Sequence, residues 1–131
     1  MLTHKRSKKR DAILACVRST DTHPTADWVY AQLKPQIPDL SLGTVYRNLA
    51  MFKQEGLIDS IGIVDGMERF DRNCVPHTHF VCLHCHAVID VENIELPEHL
   101  IDQVHCGSVR SCALTFSGIC NQCAPNGAEH Q

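Results

Sequence analysis

Residues 41–71 read SLGTVYRNLAMFKQEGLIDSIGIVDGMERFD, and this stretch decides the fold. Ser41 can cap a helix that carries Leu42, Val45, Leu49 and Phe52 at helical spacing, and Gly56 closes it in the usual C-terminal position. Residues 57–64 and 67–71 then read as short strands joined at Asp65-Gly66, a strong signal for a tight hairpin. Toward the N-terminus, Ile13, Leu14 and Val17 predict a first helix over residues 8–18. Pro24 disfavours helix at His23, Thr25 can cap a second helix, and Ala26, Val29, Tyr30 and Leu33 repeat at helical spacing until Pro35. Three short helices and a hairpin predict a winged helix-turn-helix over residues 1–72, with the third helix entering the DNA major groove.

That geometry assigns base contacts to Tyr46 and Arg47, because Arg can fork onto guanine and Tyr can pack against thymine. Ser41 and Thr44 lie nearer the phosphates, and Lys8, Lys9 and Arg10 can add salt-dependent, sequence-independent contacts. The plain alternatives are an exposed helix face and a solvated basic tail. Trp28, Phe52 and Cys16 read as core residues rather than contacts.

Composition supports a division at this point. The 131 residues suffice for one ordinary domain or two small ones. The net charge of −3 hides an asymmetry: residues 1–72 hold eleven bases against nine acids, residues 73–131 one base against six acids. No apolar run reaches the ~18 residues of a membrane span, and the basic N-terminus lacks the apolar core of a signal peptide. A cytoplasmic protein with no membrane partner is expected, and its eight cysteines then read as metal ligands or buried thiols rather than disulfides.

Residues 73–131 predict a small α+β unit: extended segments over 78–91, broken at a cysteine pair, a short helix over 96–104, and a strand over 109–116 ending at Gly118. Cys82-Leu-His-Cys85 and Cys120-Asn-Gln-Cys123 are separated by 34 residues. Four thiolates in two tight pairs make a closed tetrahedral Zn²⁺ site, which stabilises a small domain and leaves no position open for chemistry. A redox C-x-x-C would need a thioredoxin-like setting, which is absent. His77 and His79 lie two apart in an extended segment and so share one face, with Phe80 and Cys82 on the other. Asp71 precedes them and Asp90 lies beyond them. Imidazole with carboxylate suits Fe²⁺, Mn²⁺ or Zn²⁺.

From about residue 8 to Cys123 the chain resembles the ferric uptake regulator (Fur) family. The resemblance is carried by His23-Pro-Thr-Ala-Asp27, Leu42-Gly-Thr-Val-Tyr-Arg-Asn-Leu49, Arg69-Phe-Asp71, His77-Thr-His79-Phe-Val-Cys82-Leu-His-Cys85 and Gly118-Ile-Cys120-Asn-Gln-Cys123. It implies an α+β protein: a winged helix over 1–72 and a dimerisation and metal-binding domain over 73–131. It further implies one structural zinc per chain on Cys82, Cys85, Cys120 and Cys123. A regulatory Fe²⁺ or Mn²⁺, also one per chain, would take His23, Asp71, His77, His79 and Asp90. Such a protein is a homodimeric repressor of palindromic double-stranded DNA operators, controlled by metal and acting on no small organic substrate.

Aspartates at both 71 and 90 resemble the peroxide-regulator (PerR) branch, in which iron-catalysed oxidation of a ligand histidine releases DNA. His23 and His77 are then the oxidation targets. Pro76 and Thr78 beside His77, with Cys112 further on, argue against a third metal site. Arg47 after Tyr46 looks more like the iron-sensing branch, and His86 replaces the glycine usual after the first cysteine pair. Cys74 lies three residues before His77, a spacing that does not match the zinc-sensing pattern. His84, His99 and His105 read as surface residues, and Cys106 has no assigned role. A hydrolytic enzyme is disfavoured, since five protein ligands leave little room for substrate and activated water. A purely structural zinc module leaves the basic front half without purpose.

Overall fold

The computed structural model describes residues 7–74, 77–92 and 94–124. It divides into two compact units, residues 1–74 and 75–131. Among the described residues, no helix is long and apolar enough to cross a membrane.

The first unit holds helices α1 (Lys8–Arg18), α2 (Ala26–Leu33) and α3 (Leu42–Gln54), followed by strands β1 (Asp59–Val64) and β2 (Met67–Asp71). Each helix begins where a hydroxyl satisfies an orphan amide: Ser7 accepts from the Arg10 amide, Thr25 from Trp28 and Ser41 from Thr44. Glu55 caps α3, and Gly56 comes next with φ +78°. The Gly56 amide donates to the Lys53 carbonyl (3.2 Å) and the Leu57 amide to Phe52 (2.9 Å), a Schellman closure. That closure occupies Leu57, and Ile58 is buried in the core, so the first strand begins at Asp59 rather than at 57. β1 and β2 pair antiparallel around Asp65-Gly66, both with positive φ (51° and 80°) as a two-residue hairpin turn requires. A bulge interrupts the ladder between Ser60 and Gly62.

The helical apolar positions converge. Ile13, Val17, Val29, Val45, Leu49, Phe52 and Ile58 are buried in one cluster closed by Phe70 of β2. Trp28 does not join it: it is 36 % exposed, a correction to the reading of this residue as core. In α2 the inward positions are Ala26, Val29 and Leu33, which leaves position 28 on the flank of the helix.

The second unit is a three-stranded sheet in the order β4-β3-β5, with β3 (Thr78–Cys82) central, β4 (Val88–Val91) antiparallel to it and β5 (Thr115–Gly118) parallel. Two expectations fail here. Residues 96–104 form no α-helix, only turns and a single 3₁₀ turn at Ile101–Gln103. That turn buries no side chain, and a short segment without a packed face cannot offset the cost of helix nucleation. The last strand runs over 115–118, not 109–116. Its register with β3 pairs Phe80 with Phe116 and Cys82 with Gly118, and no described strand pairs with residues 109–114.

Candidate metal centres and nucleic-acid face

The parallel pairing of β3 with β5 sets the cysteine site. Cys82 ends β3 opposite Gly118, so the chain leaving β5 delivers Cys120 and Cys123 to the turn that holds Cys85. Close approach is possible because residue 118 has no side chain: a Cβ there would sit 3.2 Å from the Phe80 ring. The four sulfurs lie within 4.8 Å of one another, with Cys82–Cys123 and Cys85–Cys120 each at 3.8 Å. Zinc–sulfur bonds of about 2.3 Å place tetrahedral sulfurs about 3.8 Å apart, so these two separations fit donors to Zn²⁺. Amides of His84, Cys85 and Cys120 all point at Cys82 Sγ at 3.4 Å. The amides of Cys85 and Cys120 foremost, against the effect of burial, hold the Cys82 thiol down at about 5. Burial, then hydrogen bonds with the neighbouring sulfurs, push Cys123 up. His84 Nδ1 lies 3.4 Å from Cys123 Sγ, a contact the sequence reading missed, since a histidine inside the first C-x-x-C gives no signal of which sulfur it meets.

The His/Asp residues are positioned within each unit. In the first, His23 and Asp71 are both buried, and His23 Nε2 lies 3.4 Å from Asp71 Oδ2. Asp71 Oδ1 accepts the Asn73 amide (2.9 Å), which orients the carboxylate. His23 has φ +60°, a left-handed conformation that is uncommon for a residue with a side chain. The loop is held by β2: Arg69 Nε donates to the His23 carbonyl, Arg69 Nη2 to Thr22 (2.9 Å), and the Phe70 amide to Pro24 (2.9 Å). The Arg69-Phe-Asp71 run carries part of the family resemblance, but nothing in the sequence shows that its arginine reaches back 46 residues.

In the second unit, cross-strand pairing of His79 with Asp90 brings the carboxylate between two imidazoles. His77 Nε2 is 2.9 Å and His79 Nε2 3.4 Å from the same oxygen, Asp90 Oδ1, and the two rings stand 4.3 Å apart. Ligands about 2.0–2.2 Å from a metal lie roughly 3.0–3.5 Å from each other, so the separations in both units fit donors to a metal ion.

On α3, Val45 and Leu49 face the core while Tyr46 and Arg47 face out. Arg47 Nη2 donates to Thr44 Oγ1 (3.0 Å), which lies 2.9 Å from Ser41 Oγ, linking three of the expected contact residues in one chain. The Tyr46 hydroxyl donates to Asp27 Oδ1 of α2 (3.1 Å), and that hydrogen bond raises the tyrosine pKa. Lys8 is exposed in the first turn of α1. Lys9 pairs with Asp39 (3.0 Å), while Arg10 meets Glu55 (3.6 Å) and stacks 5.2 Å from the centre of the Phe52 ring. Lys5 and Arg6, also in the basic run, lie outside the described residues, as does Pro76.

The model of the "Ferric uptake regulator family" matches residues 2–116. The peroxide-responsive repressor PerR of Staphylococcus aureus is 34 % identical over 117 residues, covering 88 % of this chain and 79 % of that protein. Among solved structures, the Campylobacter jejuni peroxide stress regulator is 27 % identical with a TM-score of 0.68, covering 88 % of this chain and 91 % of that one. The iron-containing ferric uptake regulator of Francisella tularensis is 20 % identical with a TM-score of 0.78, covering 95 % and 97 %, and bears on the fold alone.

Proposed function

The chain belongs to the ferric uptake regulator family, and from that premise we propose that it is a peroxide-sensing, metal-dependent repressor. It would bind palindromic operator DNA as a homodimer in the cytoplasm. Zn²⁺ on Cys82, Cys85, Cys120 and Cys123 would stabilise the second unit. His23, Asp71, His77, His79 and Asp90 would together hold one regulatory Fe²⁺ or Mn²⁺, tying the first unit, which would read DNA, to the second, which would dimerise. Ordering the two units would bring the recognition helices of a dimer to the separation of two half-sites, so metal loading would set DNA affinity.

The observation that carries the peroxide reading is the donor set: both carboxylates are aspartates, each beside histidine nitrogen. The 34 % identical PerR supports the same branch. Ferrous iron held by these residues would act as a catalyst, activating H₂O₂ beside the imidazoles with no net change in its own oxidation state. The net change is insertion of one oxygen atom into a ring C–H bond of His23 or His77, the hydrogen staying on the oxygen or moving to a ring nitrogen, with H₂O₂ as two-electron oxidant and water as the other product. An oxidised ring is a poorer donor, and the metal and then the DNA would be released. Tyr46 and Arg47 would read bases, Ser41 and Thr44 phosphates, and Lys8, Lys9 and Arg10 would add non-specific attraction. An iron-responsive repressor is the second reading, favoured by Arg47 on the exposed face of α3.

The test is to load the zinc-containing protein with Fe²⁺ without oxygen, add roughly stoichiometric H₂O₂, and map added oxygen by peptide mass spectrometry. DNA binding is measured in the same samples, with Mn²⁺-loaded protein as control. One added oxygen on the His23 or His77 peptide, with DNA release only in the iron sample, is expected. Unmodified histidines and retained DNA binding would remove the peroxide reading, and titrations of DNA affinity with each metal would then decide for iron or zinc.

A further inference from the structure

Three successive carbonyls, those of Thr22, His23 and Pro24, are bonded by two successive residues of β2, Arg69 and Phe70. Between them stands a histidine at φ +60°, a conformation unfavourable for a residue with a Cβ. It must be held from outside. A planar guanidinium suits the task, since its donors diverge in a fixed fork and can take two adjacent carbonyls at once. Asp71 comes two residues after Arg69 and so lies on the same side of the strand. From that side the guanidinium grips the backbone of His23, while the carboxylate meets its ring at 3.4 Å.

We propose that Arg69 is a positioning residue for the regulatory metal, fixing the left-handed backbone of His23 so that its imidazole is presented beside Asp71. This rests on the ligand set proposed above. Arg69 touches no metal; it acts through His23, and lost pre-organisation of a ligand weakens binding as other outer contacts of metal sites do. Because Arg69 lies on the hairpin after α3, the same contact links the metal ligand to the wing.

The test is a double-mutant cycle on Mn²⁺ affinity, read by electron paramagnetic resonance of free Mn²⁺ in the full zinc-loaded chain. Arg69→Gln should weaken Mn²⁺ binding ~10–100-fold in the parent. In a His23→Ala background the same change should alter it by less than about 3-fold, because the group through which Arg69 acts is gone. Zinc should remain stoichiometric throughout. Arg69→Lys, which keeps the charge but loses the rigid planar fork, should fall between parent and Arg69→Gln, and serves if the glutamine variant does not fold. Parental affinity in Arg69→Gln, where His23→Ala has lost it, would overturn the proposal. So would an equal loss in both backgrounds, which would make Arg69 a support of the unit rather than of His23. Parental affinity in His23→Ala would instead refute the ligand set itself, and the positioning role with it.

Discussion

Among the described residues, the first unit buries eleven apolar side chains in one continuous cluster, from Ile13 to Phe70. In the second the buried apolar side chains are Cys82, Val88, Cys120 and Ala124. Ile89, Ile101, Val104 and Phe116 there are 41–45 % exposed. The front unit therefore rests on hydrophobic burial, which any well-packed set of side chains can supply. The back unit gathers four thiols where a core would be, the place that a small domain with little apolar burial fills with a metal ion. Stability in one is distributed over many residues; in the other it is concentrated in a few atoms.

The largest expected effect breaks the back unit alone. Structural zinc contributes an apparent ~10–16 kcal/mol in small metal-folded domains, more than a unit of this size holds otherwise. Cys82→Ser should abolish zinc binding and leave residues 78–118 unprotected in amide hydrogen exchange, while the three helices keep their protection. Protected β3 and β5 in zinc-free protein would mean that the sheet has a core of its own and that the contrast is wrong. The converse change is Phe52→Ala, which empties the centre of the front cluster. It should cost about 3–5 kcal/mol in denaturant unfolding of the first unit, with zinc content unchanged.

The same contrast governs what the sequence revealed. α2 and α3 were legible because their signals are local: Thr25 and Ser41 stand three residues before the amides they cap, and Gly56 closes α3, whereas α1 was read from the spacing of Ile13, Leu14 and Val17 and its Ser7 cap came only with the structure. The cysteine set was legible because thiol pairs announce themselves by spacing. Residues 96–104 and 109–114 misled because their apolar pattern is real but has no buried face within the described chain, and periodicity shows only where burial could occur. Of the proposed histidine–aspartate set, His77, His79, Asp71 and Asp90 were noticed as residues and His23 came from resemblance, whereas the grip of Arg69 on Thr22 and His23 depends on contacts 46 and 47 residues apart. No spacing rule reaches that far.

A smaller effect sharpens the comparison within the back unit. Gly118 faces the Phe80 ring closely enough that an added Cβ would lie 3.2 Å from it, tighter than ordinary contact. Gly118→Ala should destabilise the second unit by about 1–3 kcal/mol through overpacking, since Phe80 must shift in a sheet with little core to absorb it. The readout is the rate of zinc transfer to a chelator, which should rise in the variant. An unchanged rate would show that β3 and β5 yield there without disturbing the sulfurs.

The smallest effect belongs to the front unit. Lys53, in the last turn of α3, lies 2.9 Å from Glu68 of β2 and ties the proposed recognition helix to the wing. Burial pushes the Glu68 carboxyl up, but hydrogen bonds from Lys53 and Ser60, with the lysine charge, outweigh it and leave the group below its ordinary value of 4.5. A carboxylate with a lowered folded pKa contributes stability above its unfolded value and loses it as pH falls through the folded one. Both side chains are substantially solvated, so the pair should contribute only ~0.2–1 kcal/mol. A double-mutant cycle of Lys53→Met and Glu68→Gln should give a coupling of that size at neutral pH and none once Glu68 is protonated. A coupling above about 2 kcal/mol would show that charge, and not only the eleven-residue cluster, holds the wing to the helix.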